Sequence, residues 1–286
     1  MIELLRAQLP EEGVRPNVME KVDLFRIDRS SPRSPLSYRP SIIILAQGRK
    51  RVFIGDEVIT YDPLNYLVLS VPLPLECETA ASAQEPMLGL TVQVDAAAVG
   101  EILLAMEGTV KDPKFTPKGM YSAPLDDPLV GAVIRLLETL SSPSEKRVLG
   151  PMIVREIIYR VLCGEKGDAL RALAFRNQRF FQIALTLDRI HDSYGDKLDL
   201  NTLAREAGMS ISAFHTSFKA VTNTSPLQYI KSVRLHKARM LMIEEGDNAY
   251  NAAYRVGYES PSQFNREYKR LFGQTPAKDA IRSRVS

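Results

Sequence analysis

Leu203-Ala204-Arg205-Glu206-Ala207-Gly208-Met209-Ser210, followed by Phe214, Phe218-Lys219 and Ser225-Pro226, is answered by Ala253-Tyr254-Arg255-Val256-Gly257-Tyr258-Glu259-Ser260, followed by Phe264, Tyr268-Lys269 and Thr275-Pro276. Each copy reads as an amphipathic helix, a glycine-bearing tight turn and a second amphipathic helix, the pattern of a helix-turn-helix unit. Two such units on one chain point to duplex DNA.

The expected helix boundaries agree with this reading. Ser260-Pro261-Ser262-Gln263 offers a hydroxyl N-cap, a proline at the first helical position and a Gln spaced to close a capping box; Ser225-Pro226-Leu227-Gln228 repeats the pattern and Thr275-Pro276 repeats part of it. Gly208 and Gly257 stand where a chain leaving a helix needs positive φ.

In each second helix the apolar positions fall on one face: Phe214, Ser217 and Phe218, then Phe264, Tyr268 and Leu271. The opposite face presents His215, Thr216 and Lys219 in the first unit and Asn265, Arg266, Lys269 and Arg270 in the second, groups suited to base edges and phosphates. A merely solvated surface is the competing reading, and duplication at matched spacing weighs against it. Between the units a long helix is expected over Pro226 to Glu245, with Leu227, Ile230, Val233, Leu235, Ala238, Leu241 and Met242 on its apolar side. It spans roughly 30 Å, close to the repeat of B-DNA at about 34 Å, so two recognition helices can enter successive major-groove segments.

The run Ala253-x3-Gly257-Tyr258-x-Ser260-x-Ser262-x-Phe264-x-Arg266-x-Tyr268-Lys269-x3-Gly273-x-Thr275-Pro276 resembles the signature of AraC/XylS transcriptional regulators, and the resemblance covers about residues 181 to 281. Upstream, Ala46-Gln47-Gly48-Arg49-Lys50 and Tyr66-Leu67-Val68-Leu69-Ser70-Val71-Pro72-Leu73-Pro74 resemble the cupin-like amino-terminal domain of one AraC subgroup. The resemblance implies base reading by Ser212, His215 and Thr216 in the first unit and by Gln263, Asn265 and Arg266 in the second. Many family members have Arg where this chain has Thr216, so the first unit is expected to read fewer guanines or to lean on His215. Phosphate contacts fall to Ser210, Lys219, Ser260 and Lys269. The family also implies a homodimer, action with RNA polymerase, usually as an activator, and a small-molecule effector.

The fold class expected is α+β. Residues 1–175 form a cupin-like sensor and dimerisation domain, with its β part about 20–95 and helices about 95–175, and residues 180–286 form an all-α DNA-binding domain. Ser41 to Leu45, Arg51 to Ile54, Glu57 to Tyr61, Tyr66 to Leu69 and Leu88 to Val92 read as strands, separated in part by Gly48, Gly55-Asp56 and Asp62-Pro63, and suggest a small antiparallel barrel or sandwich. Helices are expected over Asp95 to Met106, Asp126 to Leu140 and Ser144 to Cys163, either as a dimerisation hairpin or packed on the barrel. Asp112 to Pro124 reads as an exposed connection, and a hinge is expected within Gly164-Asp168 to Arg176-Arg179.

The chain has 286 residues, 45% of them hydrophobic, and a net charge of +3. Residues 1–110 carry 10 Lys and Arg against 15 Asp and Glu, whereas residues 181–286 carry 15 against 11, so the positive side lies with the proposed DNA-binding part. The start, Met1 to Pro10, lacks the basic and apolar regions of a signal peptide, and no apolar run reaches the roughly 18 residues of a membrane helix. Cys77 and Cys163 form no CxxC pair, which fits a reducing cytoplasm.

All three histidines, His191, His215 and His236, lie in the carboxy-terminal part. The β domain therefore offers no imidazole for a metal and no Ser-His-Asp or Cys-His arrangement, and no cofactor, metal or catalysis is expected. Phe53, Tyr61 and Tyr66 are candidates to line an effector cavity or to be plain core, and Cys77 is a candidate sensor or a small apolar filler. Control by a protein partner or by oligomerisation with no small-molecule effector, or a cupin-type enzyme fused to a DNA-binding domain, are the alternatives to a small-molecule sensor.

Overall fold

A computed structural model describes residues 1–54, 57–106, 117–174 and 179–285. The chain opens with α1 (Ile2–Gln8) and then runs β1 (Gly13–Met19), β2 (Val22–Ile27), β3 (Ser31–Tyr38), β4 (Ser41–Gln47), β5 (Arg49–Ile54), β6 (Glu57–Tyr61), β7 (Asn65–Leu69), β8 (Leu73–Ala80) and β9 (Met87–Gln93). There follow α2 (Ala96–Ala105), β10 (Met120–Pro124), α3 (Asp127–Thr139), α4 (Pro143–Val148), α5 (Gly150–Cys163) and α6 (Asp168–Arg171). The rest is helical: α7 (Arg179–Asp192), α8 (Leu200–Glu206), α9 (Ile211–Thr222), α10 (Pro226–Glu244), α11 (Ala249–Arg255), α12 (Pro261–Phe272) and α13 (Pro276–Val285).

The strands form a six-stranded sheet in the order β1-β2-β9-β4-β7-β10 and a four-stranded sheet in the order β3-β8-β5-β6, antiparallel throughout. In β4, Ile42 to Leu45 are all buried, because the strand lies between β9 and β7 with apolar material on both faces. By contrast β5 alternates, with Lys50, Val52 and Ile54 inward. Leu73 to Leu75, outside the five expected strands, is the start of β8, with Leu73, Leu75, Cys77 and Thr79 all inward. The expected connection up to Pro124 ends in β10, while 112–116 lie outside the described residues, as do 55–56 and 175–178.

Asp95 and Asp126 cap α2 and α3 by accepting the N–H groups of Ala98 and Leu129. The helix expected to run unbroken to Cys163 is interrupted at Leu149, since Pro151 has no N–H for the carbonyl four positions back. Helices α3 and α5 pack on one another, joined by Arg135 to Glu156 at 2.6 Å, and their inner faces enter the core beneath the sheets.

The apolar interior does not divide at the expected hinge. One core runs from Leu5 through both sheets, α3, α5 and the first helix-turn-helix unit to Tyr229, Ile230 and Val233, and a second holds Leu235, Ala238, Leu241, Met242 and the second unit. The boundary falls inside α10. Among the described residues, hydrogen bonds join the β domain to the first unit and to α10: Gly119 N–H to Val221 O at 2.9 Å, Asn223 Nδ2 to Ile54 O at 2.8 Å and Tyr229 Oη to Pro72 O at 2.6 Å. A Cβ on Gly119 would stand 2.4 Å from Val71 Cγ2 and 2.9 Å from Val221 O, so close approach of the backbones requires glycine there.

Candidate nucleic-acid interface

The two units are built alike. In the first, Asp199 caps α8, Gly208 turns the chain at φ +66°, Ser210 Oγ accepts the Ala213 N–H to start α9, and Asn223 ends it in the left-handed region. In the second, Asn248 caps α11, Gly257 turns at φ +82°, Ser260 Oγ accepts the Gln263 N–H to start α12, and Gly273 ends it at φ +75°. Phe214, Ser217 and Phe218 are buried, as are Phe264 and Tyr268, whereas Leu271 is half-buried. Along α10 the apolar side also takes in Tyr229 and His236, and Leu227 is exposed instead.

The outer faces of α9 and α12 are open. Ser210, Ser212, His215, Thr216 and Lys219 are exposed on the first unit, and Gln263, Asn265, Arg266 and Lys269 on the second, with Ser260 half-buried. Lys219, Arg266 and Lys269 make no ion pair among the described residues. Two expected readers are already engaged. Thr216 donates its hydroxyl hydrogen to Ser212 O at 3.0 Å, which leaves its methyl and a lone pair outward. Gln263 does not reach back to close a capping box; its Nε2 donates forward to Glu267 Oε1 at 3.1 Å.

Arg234, which sequence reading passed over, sets the relation between the units. From α10 its guanidinium donates to Tyr194 O at 2.8 Å, Asp196 O at 2.7 Å and Gly257 O at 3.1 Å, binding the end of α7 to the second turn. A Cβ on Gly257 would lie 2.5 Å from Gly195 O. The groove between the units, about 600 Å³, is lined by Leu227, Lys231, Arg234, Tyr254 and Gln263 among others. With 19 residues in α10, the linker is roughly 28 Å long at the α-helical rise. A stiff helix and one forked cation thus fix the separation of two exposed polar faces.

The expected effector residues divide into three places. Tyr61 and Cys77 come together inside the sheets with Tyr38 and Lys50: Cys77 Sγ is 3.8 Å from Tyr38 Oη, and the Lys50 ammonium lies 5.4 Å from the Tyr38 ring. Phe53 stands apart, since β5 alternation turns it outward, where Arg33 and Arg51 cover its ring at 4.2 and 5.7 Å. Tyr66 is buried but turned toward the end of α5, its hydroxyl 3.2 Å from where a Cβ on Gly164 would be. Lys50 is 8% exposed and has no carboxylate or carbonyl partner among the described residues. Burial lowers its pKa and raises that of the Cys77 thiol, which therefore stays protonated and a poor nucleophile.

A family model described as AraC-type transcriptional regulator N-terminus matches residues 18–169, and one described as a helix-turn-helix domain matches residues 203–280. The chain belongs to the AraC-type transcriptional regulators. Among relatives, it is 24% identical over 143 residues to the HTH-type transcriptional activator RhaS of Enterobacter sp. (strain 638), covering 43% of this chain and 51% of that one. It is 24% identical over 153 residues to the HTH-type transcriptional regulator ExsA of Pseudomonas aeruginosa, covering 53% and 54%. The chain thus spans about half the length of these relatives. Among solved structures, apo ToxT from Vibrio cholerae strain SCE256 superposes with a TM-score of 0.60 at 10% identity, covering 92% of this chain and 98% of that one. The fold is therefore shared with ToxT over both parts of the chain. No helix among the described residues is long and apolar enough to cross a membrane.

Proposed function

We propose that this AraC-type regulator is a sequence-specific transcriptional activator whose two helix-turn-helix units read successive major-groove segments, and whose β domain, residues 1–175, responds to an anionic small molecule. The observation that carries the DNA-reading part is the pair of exposed polar faces on α9 and α12, whose Lys219, Arg266 and Lys269 make no ion pair among the described residues, held apart by α10 and Arg234. Ser212, His215, Thr216, Gln263, Asn265 and Arg266 face the bases, and Ser210, Lys219, Ser260 and Lys269 the phosphates. Mobility-shift titrations of the wild type, Arg266→Ala and Lys269→Ala on its own upstream DNA test this. Loss of the Arg266 fork costs about 1–3 kcal/mol of discrimination at one base pair. Loss of the Lys269 charge weakens all sequences alike and reduces the salt slope by about 1. Equal binding of every duplex by all three proteins defeats the reading.

The effector part rests on Lys50. Burying an ammonium without a partner is costly, and a bound carboxylate or phosphate offsets that cost. Solved forms of ToxT include one bound to an unsaturated fatty acid and one bound to a substituted butenoic acid, both carboxylic acids. Homodimerisation is supported by Leu104, Val148 and Met152, large apolar side chains left exposed on α2, α4 and α5. Surface outside the DNA-reading faces is left to contact RNA polymerase.

A further inference from the structure

Gln263 sits in the first turn of α12 with its side chain exposed, yet it is tethered. Glu267, one turn on, accepts from Gln263 Nε2 at 3.1 Å, from Lys231 Nζ of α10 at 2.7 Å and, through its other oxygen, from Tyr258 Oη at 2.7 Å. Burial alone would raise this carboxyl, but the donors outweigh it and hold the group below its ordinary value, so it is ionised at neutral pH.

An ionised carboxylate only accepts. The Gln263 amide therefore has to present its NH2 to Glu267, and its Oε1 is turned the other way with the second N–H beside it. Without such a neighbour a glutamine amide can rotate by half a turn and offer either end. In the major groove an acceptor beside a donor matches the N6 amine and N7 of adenine, whereas guanine and thymine put carbonyl oxygens where Oε1 would point. A carboxylate near phosphates also opposes DNA binding. Lys231 neutralises it, at the loss of a cation that would otherwise face the backbone.

We infer that Glu267 is a positioning residue that locks the Gln263 amide in the orientation that reads adenine. The inference rests on the DNA-reading role of α12 and narrows it to one base at one position.

Selection from a random duplex library with the full chain tests this in parallel for wild type, Gln263→Ala, Glu267→Gln and the double variant. Glu267→Gln keeps size and polarity but can donate as well as accept, so the lock is released. In the wild-type motif one adenine column is expected that Gln263→Ala erases. Glu267→Gln is expected to cut the adenine preference at that same column about fivefold or more, with every other column unchanged whatever the loss of the Lys231 pair does to the thermal midpoint, and to add nothing in the double variant. Retention of the column in Glu267→Gln overturns the inference, as does uniform blurring of the second unit's half of the motif, which marks a merely structural role. If Gln263→Ala erases no column the inference also falls, while any wild-type motif leaves the DNA-reading role standing.

Discussion

Tyr229, on the linker helix of the DNA-binding part, donates its hydroxyl hydrogen to the carbonyl of Pro72 in the β domain at 2.6 Å. The same hydroxyl lies 3.0 Å from His191 Nε2, so with its one hydrogen committed to Pro72 it accepts from the imidazole. Tyr229 is fully buried. Phenylalanine at this position keeps the ring and leaves a carbonyl and an imidazole N–H unpaired. Tyr229→Phe is expected to lower the stability of the full chain by about 1–3 kcal/mol, read as a shift in the urea midpoint. An unchanged midpoint would show that the contact is incidental.

That bond also marks what the sequence could not disclose. The repeated units were legible because their signals are local: Ser210 and Ser260 as caps, Gly208 and Gly257 at positive φ, Phe214 and Phe264 at equivalent depth. Five strands were legible from β-branched runs. Strand β3 was not, because Pro32 and Pro35 argue against a strand, and they are tolerated only because β3 is the edge of its sheet. Pro74 hid the start of β8 in the same way. Among site residues, Arg234, Lys50 and Glu267 were missed since each acts through tertiary partners: a forked cation on three carbonyls, a buried ammonium, a three-donor carboxylate. No spacing rule reaches from Tyr229 to Pro72.

Acid sensitivity has two separate windows. Burial, the largest cause in both cases, lowers the pKa of His191 and of His236 to about 4, against about 6.5 in the unfolded chain. Between those values the unfolded state binds more protons, so this contribution is complete above pH 6.5 and is lost as pH falls toward 4. The loss is on the order of a few kcal/mol for the pair. The carboxyls of Asp95, Asp199, Glu267 and Asp279, all held low, add their losses only below their own unfolded values. Urea unfolding at pH 7.5 and at pH 5 is expected to show the histidine window alone. Equal stability at the two values would refute it.

Lys50 should trade stability for response. Lys50→Met removes an inward-facing ammonium that has no anionic partner and fills the same space with apolar atoms. The variant is expected to be more stable by about 1–3 kcal/mol, and to lose the rise in thermal midpoint that carboxylates, but not their amides, induce in the wild type. A variant that is less stable would mean that the ammonium is well solvated at the rim. One that still responds to the same carboxylates would move the effector site elsewhere.

Asp279 tests the division of the interior inside α10. Its carboxylate, 2% exposed, accepts from Arg239 Nε, Tyr268 Oη and Gln274 Nε2, each at 2.7 Å, and so ties α13 to α10 and α12. Removing the charge of Asp279 from this buried group weakens its ion pair with Arg239 and costs about 3–5 kcal/mol. Tyr268 belongs to the second core, and Arg239 stands on α10 between Ala238 and Leu241 of that same core. Asp279→Asn should therefore melt the second unit ahead of the rest, turning one unfolding transition into two, while Tyr229 and the first unit stay docked on the β domain. DNA binding should fall to that of a single unit. If the variant instead unfolds in one step at a lower midpoint, α10 transmits stability across the boundary and the two cores are one cooperative body.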